Sequence, residues 1–217
     1  MKSDLSLKKD VMEELAWEPQ VNEALIGVEV KNGVVTLSGH PTSYAEKLAA
    51  EKAAFRVAGV KAVAVDLDVE IPGSHKRTDA DIAGAANAAL CWNSIVPRDA
   101  IKIMVEDAVV TLSGEVAGDF QRRAAENLIR PLLGVKEIRN QIMVKPSAFS
   151  KDIQAKITAA LHRQAQIDAQ NISISIEGGK VTLKGKVHSW AERQAAEHAA
   201  LAAPGVAQVV DHLELLS

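Results

Sequence analysis

Val34-Val35-Thr36-Leu37-Ser38-Gly39 returns as Val109-Val110-Thr111-Leu112-Ser113-Gly114, and again as Lys180-Val181-Thr182-Leu183-Lys184-Gly185. The closing glycines stand 75 and then 71 residues apart. Gly59-Val60, Gly134-Val135 and Gly205-Val206 keep that spacing. So do Leu7, Ile82 and Ile153 upstream, and Leu15, Leu90 and Leu161. Markers held in one register make the chain a threefold repeat, with units at 3–72, 77–146 and 149–217.

Each unit reads outward from the quoted stretch as α-β-β-α-β. The stretch alternates apolar and polar residues and closes on glycine, as a half-buried strand does. Ile26, Val28 and Val30 alternate just before it as a partner strand. Asn32-Gly33 joins the two strands, and such a pair favours a hairpin turn with positive φ at both residues. Gly178-Gly179 serves the third repeat. Asp107-Ala108 in the second is a poorer turn sequence, so a different or strained turn is expected there.

Upstream, Leu7-Val11-Leu15, Ile82-Ala86-Leu90 and Ile153-Ile157-Leu161 form the apolar stripe of a helix. Ser3, Thr78 and Ser150 stand where they can cap it. Downstream, Ser43, Gly118 and Ser189 precede a second helix. It is alanine-rich in the first repeat (Ala45, Ala49, Ala50, Ala53, Ala54) and in the third (Ala191, Ala195, Ala196, Ala199, Ala200). Ala45, Phe120 and Ala191 are read as part of its core stripe. Gly59, Gly134 and Gly205 fit a left-handed C′ residue, and Pro131 should end the second repeat's helix early.

A last strand carries Val63, Val65, Leu67 and Val69; then Ile138, Ile142 and Val144; then Val209, Leu213 and Leu215. A right-handed crossover makes it parallel to the preceding strand. The expected fold class is α+β: three tandem α-β-β-α-β repeats, each a three-stranded mixed sheet with two helices packed on one face. Gly39, Gly114 and Gly185 would allow a backbone turn that a Cβ obstructs. The linkers at 72–76 and 146–148 are short, and a unit of ~70 residues buries little surface alone. The repeats are therefore expected to pack together.

Hydrophobic residues make up 47% of the 217 and charged residues 24%. That balance excludes a disordered or collagen-like chain. Aromatics are only 3%, so Ala, Val, Leu and Ile must build the core. The net charge of −3 argues against a duplex-wrapping protein, and no nucleic-acid partner is expected. One cysteine, Cys91, excludes an intramolecular disulfide framework and a multi-cysteine metal site. At the end of an apolar helix it is read as a buried, inert thiol.

Enzyme motifs are absent: no phosphate-binding glycine loop, no G-x-S-x-G elbow, no H-E-x-x-H. The six histidines hold no equivalent repeat positions and no ligand spacing. Catalysis, a cofactor and a metal site are therefore not expected. Asp66 and Asp68 are read as a solvated strand face. No run approaches the ~18–20 apolar residues of a membrane span. The charged N-terminus lacks the apolar core of an export signal. A cytoplasmic location is expected of the sequence as it stands, and a periplasmic one for a matured, exported form.

The helix-strand-strand-helix-strand unit, with V-x-L-x-G and a later G-V, resembles the BON (bacterial OsmY and nodulation) domain family. Val35-Thr36-Leu37-Ser38-Gly39 with Gly59-Val60, Val110-Thr111-Leu112-Ser113-Gly114 with Gly134-Val135, and Val181-Thr182-Leu183-Lys184-Gly185 with Gly205-Val206 carry the resemblance. It spans nearly the whole chain. It implies a non-enzymatic module that acts at membranes by binding phospholipid, in osmotic-stress proteins and alongside transport components.

Candidate contact residues follow from aromatics and charge. Tyr44, Asp119 and Trp190 occupy equivalent sites at the start of the second helix, where Tyr44 and Trp190 read as off-core. Tyr and Trp favour interfaces with one wet and one apolar side; packing against a neighbouring repeat is the competing role. Trp17 and Trp92, at the end of the first helix, are read as packing over the sheet edge.

Residues 1–72 hold 8 basic and 12 acidic residues, residues 73–145 hold 10 and 9, and residues 146–217 hold 7 and 7. Arg122, Arg123 and Arg130 in the second could pair with phosphate, with Glu126 placed to neutralise one. A solvated, salt-bridged face is the competing reading. The expected function is recognition of anionic phospholipid at a membrane surface, linked to osmotic or envelope stress or to transport. The alternatives are a chaperone-like or self-associating interaction module, resting on an uncovered sheet face in each unit, and a small-ion or small-ligand sensor.

Overall fold

A computed structural model describes residues 2–97, 99–145, 153–163, 171–177, 179–203 and 206–216. The first repeat comprises α1 (Asp4–Trp17), β1 (Ile26–Lys31), β2 (Val34–Gly39), α2 (Tyr44–Arg56) and β3 (Ala62–Leu67). The second comprises α3 (Asp79–Cys91), β4 (Ile101–Glu106), β5 (Val109–Val116), α4 (Asp119–Ile129) and β6 (Glu137–Val144). The third comprises α5 (Ile153–His162), β7 (Ile172–Glu177), β8 (Lys180–Val187), α6 (Trp190–Leu201) and β9 (Gln208–Leu215). The strand orders are β1-β2-β3, β4-β5-β6 and β7-β8-β9. In the first and third sheets the hairpin is antiparallel and the last strand runs parallel to the central one. The fold is thus three tandem α+β repeats, each with a mixed three-stranded sheet and two helices. Residue contacts group into two units: Met1–Trp92 with Ile103–Thr111 and Asn127–Arg139, and Asn93–Lys102 with Leu112–Glu126 and Asn140–Ser217.

The core follows the two periodicities. Leu7, Val11 and Leu15 of α1 meet Val35 and Leu37 of β2 and Ala50, Ala53 and Ala54 of α2, all buried. Ile153, Ile157, Leu161, Val181, Leu183, Ala196 and Ala200 repeat that core in the third unit. Alanine suits α2 and α6 because a small side chain lets a helix lie close to a sheet. The outer face of the first sheet is mostly polar, while that of the second carries the exposed Met104 and Met143. In the first sheet Glu29, Thr36 and Ala64 share one row, and Ser38 pairs with Asp66 in the next. Asp66 and Asp68 are exposed.

The helix starts are built locally. Ser3, Ser43 and Ser189 accept from the backbone N–H of Ser6, Glu46 and Glu192 at 3.1–3.2 Å. Thr78 and Asp81 form a reciprocal capping box on α3. The Thr78 hydroxyl and backbone N–H hold the Asp81 carboxyl below its usual range. Ser150 lies outside the described residues. The helix α4 ends at Ile129, before Pro131, as proline requires.

The second hairpin uses the same kind of turn as the first. Asn32 and Gly33 have φ of 54° and 80°, and Asp107 and Ala108 have 51° and 65°. What holds a non-glycine turn there is Asp79. Its carboxylate accepts from the N–H of Asp107 at 3.0 Å and of Ala108 at 2.9 Å. Asp4 does the same for Asn32 and Gly33. The strain is real but paired with a specific acceptor. Gly178 of the third hairpin lies outside the described residues.

Gly39, Gly114 and Gly185 have φ of 134°, 131° and 140°. A Cβ at each would stand 2.1, 2.0 and 1.9 Å from the carbonyl oxygens of Leu25, Ala100 and Asn171. No larger residue fits without moving backbone. Gly59 also has positive φ, but it is not the C′ residue of α2. The helix caps at Val57, and Gly59 sits two residues on, inside a turn closed by the Val60 N–H on the Val57 carbonyl. Gly134 has φ of 89° and packs beside Arg77 and Ile82. Gly205 lies outside the described residues.

Three expectations fail on helix phase. Cys91 is exposed, because it is the neighbour of the buried Leu90 and turns off the Ile82-Ala86-Leu90 stripe. Trp17 and Trp92 do not pack over a sheet edge; they follow Leu15 and Leu90 by two residues and point to solvent. Phe120 and Ala191 are exposed, while Asp119 and Glu192 beside them are buried.

Candidate functional site

Arg122 and Arg123 do not form an open cationic face. Both engage Asp119, which is only 3% exposed: Arg122 at Oδ1, and Arg123 Nε at 2.6 Å from Oδ2. One buried carboxylate at the first turn of α4 thus holds two guanidinium groups. It also sits where the helix dipole favours an anion. Glu126, placed by spacing as the neutralising residue, accepts from Asn140 Nδ2 at 3.0 Å. The equivalent base is engaged in each repeat. Lys47 donates to the Leu67 carbonyl at 2.9 Å, and Arg193 Nε to Asp211 at 2.6 Å.

Tyr44 and Trp190 are half-buried at the entrances of α2 and α6. The Arg193 guanidinium lies 4.8 Å from the Trp190 ring centroid, which is cation-π distance. Trp190 therefore has an intramolecular partner on one face.

Sequence reasoning missed the residue two positions further along each second helix. Glu46 accepts from the N–H of Asn22 and Thr42 at 2.9 and 2.7 Å. Glu192 accepts from His188 N–H at 2.5 Å. Gln121 accepts from Ala117 and Gly118 N–H at 2.9 and 3.3 Å. These side chains fasten the strand-to-helix loop. The S-x-x-E spacing at Ser43–Glu46 and Ser189–Glu192 is the signal that could have found them.

Among the described residues, the aromatic side chains with most free surface are Trp17, 81% exposed, and Trp92, 91% exposed, at the same position of two repeats. Leu5 and Met12 are also exposed on α1. Met104 and Met143 are 59% and 62% exposed on the strands of the second sheet.

A cavity of about 350 Å³ lies against α2 and the end of α4. Lys52, Arg56 and Arg130 bring bases to it, Glu18 an acid, and Leu48 and Pro131 apolar surface. Arg56 is held by Glu14 at Nε and by Glu18 at Nη2, both at 2.8 Å, and the Glu18 bond is the chief cause that raises its pKa further. Burial raises the pKa of Glu51, against the opposing charges of Lys47 and Arg130. Among the described residues no three His, Cys, Asp or Glu side chains could hold a metal ion, and no helix is long and apolar enough to cross a membrane.

The BON domain model matches residues 3–71, 78–146 and 150–217. The chain is 33% identical over 146 residues to the osmotically-inducible protein Y of Escherichia coli (strain K12), covering 65% of this chain and 73% of that protein. Two solved structures of CdsD, a structural protein of the type III secretion system of Chlamydia trachomatis, align at 15% identity. Their TM-scores are 0.27 and 0.28. They cover 97% and 100% of this chain, and 92% and 100% of their own. Those scores are too low to bear on fold or function. The family match spans nearly the whole sequence, and the chain belongs to the BON domain family.

Proposed function

We propose that this chain is a non-enzymatic module that binds membrane surfaces rich in anionic phospholipid, in the response to osmotic stress that its relative's name denotes. The observation that carries the reading is the exposure of Trp17 and Trp92 at one position of two repeats. An indole left in water is costly, and its amphipathic ring is suited to the headgroup region. The bases of the second repeat supply the electrostatic part, weakened where Asp119 engages Arg122 and Arg123.

Co-sedimentation with phosphatidylglycerol-containing and with purely zwitterionic vesicles tests it. Binding to the anionic vesicles is expected at about 0.1 M salt, and a clear loss at about 1 M, where charges are screened within ~3 Å. Absence of binding to both vesicle types at both salts contradicts it. A protein-interaction module is the second reading. Met104 and Met143 favour it, since exposed methionines suit adaptable apolar contacts. The first sheet's open face, with Glu29, Thr36 and Asp66, does not.

A further inference from the structure

The first hairpin turn holds a reactive pair that none of the contact surfaces uses. Asn32 is the one asparagine of the chain that precedes a glycine. Such a pair is chemically labile, because glycine has no Cβ to shield its amide nitrogen from the asparagine side chain. Asn32 is exposed, whereas Gly33 is buried. The Gly33 N–H donates to Asp4 Oδ1 at 3.0 Å, and its carbonyl accepts from the Lys61 N–H at 2.9 Å. A Cβ on Gly33 would stand 3.1 Å from Cγ and Cδ of Lys61, whose stem thus covers it. Asp4 Oδ2 takes the Asn32 N–H as well, at 2.7 Å. One carboxylate at the start of α1 therefore clasps both amides of the turn.

We infer that Asn32 is a latent deamidation site, kept closed by Asp4 and opened when the start of α1 leaves the hairpin. In the reaction the Gly33 nitrogen gives its proton to solvent and bonds to Cγ of Asn32. The Cγ–Nδ2 bond breaks, and Nδ2 leaves as ammonia after taking up a proton. Water then opens the cyclic imide at either of its two carbonyl–nitrogen bonds, which leaves aspartate or isoaspartate at position 32. The net change is amide plus water to carboxylate plus ammonium, with nothing oxidised or reduced. Asp4 opposes the first step twice. An N–H held by a carboxylate keeps its proton, since losing it would set two negative charges face to face. The same bond holds the peptide in the turn, with φ of 54° at Asn32 and 80° at Gly33, and restricts the rotation that ring closure needs.

The second hairpin has the same clasp, from Asp79 to the N–H of Asp107 and Ala108, but neither asparagine nor glycine in the turn. It separates the clasp from the chemistry. Helix ends open at lower free energy than the core, and Asp4 lies in the first turn of α1. Its release uncovers the pair, and conversion is then one-way. Isoaspartate adds a methylene to the backbone of a two-residue turn. Aspartate puts a second carboxylate on a residue whose N–H Asp4 holds. Position 32 thus keeps a record of α1's release, whatever surface the chain binds.

Peptide mass spectrometry of the full chain incubated at neutral pH reads the conversion at Asn32. The folded parent should convert far more slowly than the same chain in urea. Asp4→Ala, with circular dichroism showing that it is folded, should speed conversion roughly tenfold, the scale of one lost charge-assisted hydrogen bond. Asp4→Asn keeps a polar helix start and carries the test should Asp4→Ala fail to fold; its rate should fall between those of the parent and of the chain in urea. Asp79→Ala should leave Asn32 at the parent's rate. Conversion in the folded parent as fast as in urea overturns the inference. So does a folded Asp4 variant that converts at the parent's rate, or equal acceleration by Asp79→Ala, which marks general loosening.

Discussion

Asp119 shows how one residue changes the meaning of its neighbours. As a buried carboxylate it needs Arg122 and Arg123. Removing the partners of a buried charge is far more costly than removing an exposed pair. Arg122→Gln with Arg123→Gln is therefore expected to lower unfolding stability by about 2–4 kcal/mol, discounted for the part-exposed arginines. Adding Asp119→Asn should restore most of it, and urea titration measures both. No loss in the double variant would mean that the arginines do not hold Asp119. Lipid binding by such variants has to be compared at equal folded fraction. The sequence could place the arginines on one helix face but not assign their partner. Asp119 aligns with Tyr44 and Trp190, so the repeats themselves suggest an aromatic site rather than a buried acid.

At the scale of elements, the strands and first helices were legible because their periods are strong. Val35 and Leu37, or Leu7, Val11 and Leu15, have only one way to be buried. The second helices were legible as helices but not in phase. Alanine contrasts weakly with its neighbours, so Ala45, Phe120 and Ala191 looked as suited to the core as the residues actually there. The second hairpin was legible as a conflict between turn and sequence. Its resolution needed a carboxylate from α3, some 28 residues away, which no local reading supplies. Ala108, at φ 65°, pays the left-handed penalty of about 1–2 kcal/mol. Ala108→Gly is expected to stabilise the fold by about 1 kcal/mol, and Asp79→Ala to destabilise it, since two turn N–H groups lose their acceptor. Chemical denaturation midpoints check both; a stabilising Asp79→Ala would contradict this account of the turn.

At the scale of the whole molecule, three copies of one unit carry different surfaces. The first has the acidic excess and Trp17, the second the bases and Trp92, and the third Arg163 at that position. Repetition explains the fold, while the three repeats differ at exposed positions. The central claim is that the exposed indoles enter a membrane interface. The most direct measurement is tryptophan emission during titration with anionic vesicles. Trp17, Trp92 and Trp190 are the only indoles, and the first two face water. The account predicts a blue shift that saturates with anionic lipid and is largely lost in Trp17→Ala with Trp92→Ala, while Trp190 alone changes little. An emission spectrum unmoved by anionic vesicles at about 0.1 M salt would contradict it.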